Sequence, residues 1–370
     1  MTSLLLVRFA DETVSFLPSG ALEPIRQDID LTYVQAGFLL ALFPGVGLIA
    51  TPLGVLADHL SRRLMAAVGG VGYGVGLWLF AVAESFPMLV FAVVVMGVLG
   101  DGLVRAVEVA LVDVAGDNLE PALARTNLLG AVGDLVGPLL LAGSLAAGFG
   151  WRGAFAVAGT ALVVYGLVLA TQPLPPPRRG PDDHPPLRGM LAVARDRRVV
   201  VAALLVALVN SFDDSFVGFA VAFLITDHAV DPAVATLAAG AGLVGGIAAA
   251  AWASRTGRRP TSLRTCGAVL LAGVGLLLAV PNVVTAAVAT AAVGAATNVA
   301  WIRLQARYLA LRPGQAGTTS AVVSAISQLA VLTPLAIGFV ADRQTLTVAM
   351  LLYVALAAAL LAATWRERTR

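Results

Sequence analysis

Residues 34–83 read VQAGFLLALFPGVGLIATPLGVLADHLSRRLMAAVGGVGYGVGLWLFAVA. Two apolar runs, at residues 34–57 and 64–83, lie on either side of the polar stretch DHLSRR at residues 58–63. A helix needs about 20 apolar residues to cross the hydrocarbon core of a bilayer, so each run is long enough to span a membrane. The stretch therefore predicts two membrane helices joined by a short charged loop.

The rest of the chain continues this pattern. Of its 370 residues, 59% are hydrophobic and only 12% are charged, whereas a soluble domain carries about 25% charged residues. A soluble fold could not hide this much apolar surface, but a bilayer solvates it directly. The sequence thus predicts an all-α polytopic membrane protein with 12 transmembrane helices, at residues 3–24, 34–57, 64–83, 87–112, 127–148, 153–171, 199–226, 233–253, 263–280, 283–308, 318–341 and 345–364.

Composition excludes several classes of function. The net charge is +2, and the 24 basic residues, all arginine, are scattered among apolar runs, whereas nucleic-acid binding needs a clustered basic face. Cys266 is the single cysteine, which excludes an intrachain disulfide and a cysteine-based zinc site. The sequence contains no catalytic-triad pattern, metal-ligand cluster or nucleotide-binding loop. It therefore predicts no enzyme, no cofactor, no metal and no nucleic-acid partner.

The placement of arginine predicts the orientation. Eighteen arginines fall in the C-terminal tail and in the loops on the side that holds Arg62 and Arg63, whereas the opposite side has only Arg26, Arg152 and Arg343. Cytoplasmic loops carry an excess of positive residues. Both termini are therefore expected in the cytoplasm, with the protein in the inner (cytoplasmic) membrane.

A proline-rich break divides the chain. Residues 172–198 contain PLPPPRRGPDDHPPLRG at 173–189, which predicts an extended or irregular cytoplasmic linker. The linker separates an N-terminal six-helix half, residues 1–171, from a C-terminal six-helix half, residues 199–370. The pattern F-x-D-x-x-V-x-F at residues 9–16 recurs at residues 212–219, so we expect two pseudo-symmetric halves. Duplicated halves of this kind are typical of secondary transporters, whose small-molecule substrate binds near the membrane midplane between them.

The loop between the second and third spans reads G-V-L-A-D-H-L-S-R-R, from Gly54 to Arg63. It resembles the signature loop of the major facilitator superfamily, G-x-L-A-D-R-x-G-R-R/K, and a degenerate copy, WASRTGRR, lies at residues 252–259. His59 and Ser61 depart from the family pattern. The resemblance covers essentially the whole chain, and it implies the twelve-helix fold of that family and transport by alternating access.

The same resemblance implies a gating function for this loop. Asp58 is expected to accept backbone N–H groups at the cytoplasmic start of the eleventh helix, and Arg62 is expected to pair with Asp113 at the end of the fourth span. The alternative is that these charges only fix topology and loop conformation. The candidate gating residues are Gly54, Asp58, Arg62, Arg63 and Asp113.

The fifth span contains a second family-like motif. Gly133, Gly137 and Pro138 belong to the stretch GDLVGP, which is similar to the gxxxGPxxGG motif of the drug/proton antiporters of the family. The final glycine pair is incomplete. The motif favours export, and ordinary close packing of helices through small residues is the alternative interpretation.

Nine ionisable residues lie deep in the predicted spans. A charge at the bilayer centre costs about 2.5–3.5 kcal/mol even on the lenient insertion scale, so these residues must face a protein interior or a water-filled cavity. With two neutral polar residues, they form the candidate cavity: Arg8, Asp11, Glu12, Asp101, Arg105, Glu108, Asp134, Asn210, Asp213, Asp214 and Asn298.

Helical spacing predicts which of these side chains meet. Asp101, Arg105 and Glu108 form one stripe, on which Arg105 can pair with Asp101 or with Glu108 but cannot hold both tightly. Arg8 and Glu12 form an i, i+4 pair that is either functional or purely structural. Asp213 and Asp214 point about 100° apart. We therefore expect one of them to line the cavity, and the match to Asp11 favours Asp214.

Seven acids against two arginines make the predicted interior acid-rich, and buried carboxylates without partners take up protons readily. The leading hypothesis is a monomeric, proton-coupled exporter of a cationic or amphipathic small molecule. One alternative is a proton symporter that imports a polar or anionic nutrient held by the arginines. A lipid transporter of the same fold and a non-transporting scaffold or sensor are the others. The sequence does not identify the substrate.

Overall fold

A computed structural model describes residues 2–57, 61–115, 119–174, 187–256, 262–280, 282–312 and 315–365. Throughout these ranges the regular structure is helical, and the chain divides into two compact units, residues 1–179 and 180–370. The helices of the first unit are α1 (Thr2–Gly20), α2 (Leu22–Ile29), α3 (Tyr33–Ala57), α4 (Arg62–Ala81), α5 (Phe86–Ala115), α6 (Leu119–Ala146) and α7 (Gly150–Thr171).

The second unit contains α8 (Leu187–Ala194), α9 (Arg197–Asn210), α10 (Asp214–Thr226), α11 (Pro232–Thr256), α12 (Leu263–Ala279), α13 (Val283–Ala310), α14 (Ala316–Ser327), a 3₁₀ segment (Gln328–Val331), α15 (Leu332–Arg343) and α16 (Leu346–Thr364). The prediction of an irregular linker is wrong for residues 187–189, because α8 begins at Leu187. Leucine, methionine and alanine favour helix, and they follow directly after the last prolines of the linker.

The twelve predicted spans correspond to these helices. Nine segments of the described chain are long and apolar enough to cross a membrane. Three more helices complete the twelve: α1, which carries three charged residues near its middle, α3, and α12, which has 17 residues. We use "span 7" for α9 and α10, and "span 11" for α14, the 3₁₀ segment and α15. The predicted all-α architecture is confirmed.

Two spans of the second unit are interrupted, and so is the first span of the chain. Pro24 lies in the first turn of α2, and proline removes the hydrogen bond to the carbonyl four residues earlier. The first span therefore breaks at Ala21. In span 11, Pro334 follows the 3₁₀ segment for the same reason. Span 7 has neither proline nor glycine at its break, where the sequence reads NSFDDS, from Asn210 to Ser215. Such short polar side chains compete for backbone hydrogen bonds.

Glycine allows two pairs of helices to pack backbone against backbone. A Cβ on Gly294 of α13 would lie 2.0 Å from the carbonyl oxygen of Gly242 on α11. In the first unit, a Cβ on Gly74 of α4 would lie 2.5 Å from the carbonyl oxygen of Gly159 on α7. No larger residue fits at these distances. The small residues therefore set the spacing of α4 with α7 and of α11 with α13, as in other membrane bundles.

Asp196 fixes the start of span 7. Its carboxylate accepts a hydrogen bond from the backbone N–H of Arg198 at 3.0 Å and another from Nε of Arg312 at 3.1 Å. These two bonds hold the pKa of Asp196 below its usual value of 3.8. Because the folded-state pKa is lowered, the stabilisation is complete above that usual value and is lost as the pH falls below it.

A cluster around Arg152 joins three parts of the first unit. Its Nη1 donates to the carbonyl oxygens of Ala81 and Ala83, at 2.8 Å each, and its Nη2 lies 2.9 Å from Oδ2 of Asp28. The indole Nε1 of Trp151 donates to the same Asp28 oxygen at 3.1 Å. These contacts connect the start of α7 with α2 and with the loop between α4 and α5.

Replacing Arg152 with alanine is expected to destabilise the first unit. The change leaves the carbonyls of Ala81 and Ala83 without this donor and removes the ion pair of Asp28, which keeps its hydrogen bond from Trp151. The expected cost is about 1–2 kcal/mol for a half-buried arginine. Thermal unfolding of the purified protein in detergent measures the loss. Arg195→Ala, which removes an exposed arginine, is the matched control. Equal midpoints for the two variants would contradict the assigned function of the cluster.

Candidate functional site

Arg8 connects α1 to α5 in the first unit. Its Nε donates to Oε1 of Glu108 at 2.8 Å, and its Nη2 lies 2.7 Å from the same oxygen. The contact to Glu12 on its own helix is longer, 3.4 Å from Nη1 to Oε1. All three side chains are half-buried. The shorter of the two ion pairs of Arg8 therefore joins two helices rather than adjacent turns of one.

Arg105 of α5 forms an ion pair with Asp101 on the same helix. Its Nε donates to Oδ2 of Asp101 at 2.6 Å, while the guanidinium side chain remains 52% exposed. Between the two partners that the sequence left open for Arg105, the structure places Asp101 in the contact. Glu108, the second candidate, turns to Arg8 instead.

Asp11 differs from the other acids of this cluster. Its half-buried carboxylate accepts no hydrogen bond and forms no ion pair within the described chain, although it is close enough to feel the charges of Glu12, Arg8, Glu108 and Asp101. The other three acids of this α1–α5 cluster, Glu12, Asp101 and Glu108, each contact an arginine. The cluster therefore contains one acid whose charge is not neutralised by direct contact.

The glycines of the antiporter-like motif pack directly behind this part of α1. A Cβ on Gly133 of α6 would lie 2.5 Å from the carbonyl oxygen of Phe9, and one on Gly137 would lie 2.8 Å from that of Thr13. Phe9 and Thr13 flank Asp11 on α1. A Cβ on Gly130, a further glycine of α6, would lie 3.4 Å from Cβ of Arg8 and 3.5 Å from Cγ of Glu12. The motif thus brings α6 against the segment of α1 that carries the charges.

Two further motif residues lie on the same helix. Pro138 is buried within α6 and cannot donate a hydrogen bond to the carbonyl of Asp134, four residues earlier. The side chain of Asp134 is half-buried and has a partner of its own. The spacing of Gly130, Gly133 and Gly137, which recur every three or four residues, is the signal that could have identified the whole packing face.

In the second unit the acidic pair lies at the interruption of span 7. Helix α9 ends at Asn210, and Asp213, with φ −90° and ψ −133°, occupies the N-cap position of α10. Both Asp213 and Asp214 are exposed, and Asn210 is half-buried. Asp213 lies in the break and Asp214 begins α10, so the 100° spacing of a continuous helix does not apply to this pair. Which of the two lines the cavity stays a prediction.

Asn298 of α13 is half-buried, but its Oδ1 atom is fully buried and accepts no hydrogen bond from any described residue. The side chain packs against Gly246 of α11, 3.7 Å from the position that a Cβ there would occupy. An unsatisfied buried carbonyl oxygen needs a donor from water or from a bound molecule. The structure thus gives Asn298 a vacant acceptor, consistent with its choice as a candidate.

The gating loop is described only in part. Asp58 lies outside the described residues. Gly54 lies in α3 and Asp113 in α5, and the side chain of Asp113 is not described. Arg62 begins α4, and Nε of Arg63 donates to the carbonyl oxygen of Ala170 at the end of α7. Ser61, which departs from the family pattern, caps α4 by accepting the N–H of Leu64 at 3.2 Å. Within the first unit Arg63 therefore joins two helix ends.

The geometry of the first unit permits binding and release of a cation or proton. The α1–α5 cluster combines four acids, Asp11, Glu12, Asp101 and Glu108, with two arginines, so it keeps an excess of negative charge. Comparisons with known proteins agree with a transporter. The family described as the Major Facilitator Superfamily matches residues 4–332. A "Chloramphenicol resistance protein" of Streptomyces lividans is 31% identical over 282 residues, which cover 70% of this chain and 68% of that protein.

Solved structures show the same fold. A bacterial homologue of the human lysosomal transporter Spinster, in an inward-facing and occupied conformation, superposes with a TM-score of 0.78 and 17% identity, covering 98% of this chain and 95% of that one. The nucleoside transporter NupG superposes with a TM-score of 0.79 and 12% identity, covering 99% of both chains. The chain is thus a membrane transporter rather than an enzyme, and it belongs to the Major Facilitator Superfamily.

Proposed function

We propose that the protein is a proton-coupled exporter of a cationic or amphipathic small molecule. It acts as a monomer by alternating access, in the cytoplasmic membrane with both termini in the cytoplasm. The observation that carries the proposal is Asp11, the acid of the α1–α5 cluster without an arginine in direct contact. The name of the Streptomyces lividans relative supports export as the direction.

Charge balance explains why proton and substrate would exchange. An uncompensated charge inside the membrane is costly, so the cluster reorients more easily when its excess negative charge is lowered. A proton on Asp11 lowers this excess by one charge, and an organic cation bound beside the cluster does the same. Because each reduces the attraction of the cluster for the other, the substrate leaves when the proton binds. This competition produces antiport without any direct contact between the two ligands.

Growth of a bacterial host that lacks its own exporters tests the proposal. Cells that produce the protein are expected to tolerate chloramphenicol or a lipophilic cation at concentrations at least fourfold higher than cells with the empty vector. Cells that produce Asp11→Asn at the same membrane level are the matched control and are expected to gain no tolerance. Equal sensitivity of all three strains to neutral and to cationic compounds would contradict export of a cationic or amphipathic small molecule.

The alternative function is proton symport of an anionic nutrient, and the exposed guanidinium of Arg105 favours it. Arg105→Ala separates the two functions. A carboxylate bound by a guanidinium contributes about 1.5–3 kcal/mol, so an importer of anions should lose about 10- to 100-fold in apparent affinity. An exporter of cations should keep its affinity within about threefold. Initial rates against substrate concentration give the answer, and Arg125→Ala, an exposed arginine of α6, is the control.

A further inference from the structure

The interruptions of span 7 and span 11 meet within the second unit. The hydroxyl of Ser211, in the break of span 7, lies 2.8 Å from the hydroxyl of Thr333, just after the 3₁₀ segment of span 11. Ser211 also donates to the carbonyl oxygen of Ala207 at 3.0 Å. A hydroxyl has one proton, so Thr333 is the donor in the contact between the two spans. Span 11 thereby supplies a hydrogen bond to the break of span 7.

Span 12, helix α16, supplies a second one. The hydroxyl of Tyr353 donates to Oγ of Ser215 at 3.2 Å, and Ser215 donates to the carbonyl oxygen of Ser211 at 2.9 Å. Tyr353 is completely buried, and its ring packs against Phe212 and Phe216, with centroids 5.7 and 5.1 Å away. The aromatic contacts fix the ring, and the ring fixes the direction of its hydroxyl.

The backbone of the break is hydrogen-bonded less well than that of a regular helix. Across the break the N–H of Phe212 bonds to the carbonyl of Val209, and the N–H of Asp213 bonds to that of Asn210 at 3.3 Å, three residues back rather than four. Such tightened turns have poorer geometry than an α-helix. Without help from other spans, residues 210–214 would gain by closing into a continuous helix, which would turn Asp213 and Asp214 about 100° apart.

We propose that Thr333 and Tyr353 are positioning residues, whose hydroxyl groups hold span 7 open at Ser211 and so present Asp213 and Asp214 together. The part of this inference that concerns transport rests on the proposed function, in which these acids serve substrate or proton binding. The brace, by which we mean the hydrogen bonds from Thr333 to Ser211 and from Tyr353 to Ser215, is a property of the fold. Thr333→Val and Tyr353→Phe each remove one hydroxyl and keep the shape of the side chain.

Hydrogen–deuterium exchange of the full-length protein in detergent tests the brace. Amides of residues 210–217 are expected to exchange about fivefold more slowly in Thr333→Val and in Tyr353→Phe than in the unchanged protein, because the break closes into a continuous helix. Tyr308→Phe, which removes the hydroxyl of another nearly buried tyrosine, is the matched control and should leave these amides unchanged. Rates within a factor of about 1.5 in both test variants would overturn the inference.

Transport rates test the positioning. Thr333→Val is expected to lower the maximal rate about tenfold, and Thr333→Ser, which keeps the hydroxyl, should restore it. Thr364→Val removes the bond from a buried hydroxyl to the carbonyl of Leu360 within α16 and should leave the rate unchanged. Equal rates for valine and serine at position 333 would overturn the positioning. A wild-type protein that moves no protons would instead overturn the proposed function, and the exchange rates would still decide whether the brace exists.

Discussion

Asp11→Asn is expected to abolish proton exchange while the protein still folds and inserts. Asparagine has nearly the shape of aspartate but neither charge nor a titratable proton, and no described ion pair is lost by the change. Substrate can still bind and equilibrate, but no proton competes with it. The variant should therefore catalyse downhill movement of substrate at a rate within about fivefold of the unchanged protein. The acceleration of this movement by the pH gradient should be less than about a tenth of the acceleration in the unchanged protein.

Counterflow of substrate in proteoliposomes, with and without a pH gradient, measures both rates. Glu12→Gln is the matched control, because Glu12 lies on the adjacent position of the same helix and contacts Arg8. It should lower the rate but keep the response to the gradient. A normal response of Asp11→Asn to the gradient would show that another acid carries the proton, with Asp134 and Asp214 the next candidates.

Removing Arg8 is expected to cost both stability and transport. Arg8 is the cation that holds Glu108 and Glu12, so Arg8→Ala leaves three acids together with no arginine from α1. Breaking a fully buried pair costs about 3–5 kcal/mol, and the partial exposure of this one reduces the expected loss to about 1–3 kcal/mol. Transport should fall at least tenfold, since α1 and α5 lose the contact that fixes their relative position.

A double-mutant cycle isolates the pair from the rest of the cluster. Arg8→Ala with Glu108→Gln removes the uncompensated charge and should recover most of the stability, so the two changes should be non-additive by about 1 kcal/mol or more. Unfolding midpoints of the single and double variants give this difference. Additive effects would mean that the contact between α1 and α5 does not stabilise the fold.

The spans could be predicted from the sequence because the bilayer imposes a simple requirement of length and apolarity. Their predicted ends lie close to the helix ends of the structure. Two of the three interruptions also have a signal in the sequence, namely Pro24 and Pro334. The interruption at Ser211 lacks such a signal. Asn210, Asp213 and Ser215 tolerate a helix interior in other contexts, and here the hydroxyls of two distant spans stabilise the open backbone.

The sequence was enough to propose the charged residues of the spans as candidates, but not to predict which of them make contact across helices. Spacing within one helix predicts neighbours three or four residues apart, and it correctly offered Asp101 to Arg105. The contact from Arg8 to Glu108 joins residues 100 positions apart, and it depends on the register between α1 and α5. Such a register is set by packing between helices, as where Gly133 and Gly137 let α6 approach α1, and single-helix patterns contain no such information.

Everted membrane vesicles with an acidic lumen test the central claim most directly. In these vesicles the cytoplasmic face is outside, so an exporter moves added substrate inward and protons outward. A pH-sensitive dye should report alkalinisation of the lumen when a lipophilic cation is added to the medium, and vesicles with Asp11→Asn should show none. If only substrate preloaded into the lumen alkalinises it, protons and substrate leave together. That result would contradict antiport and make the protein a symporter.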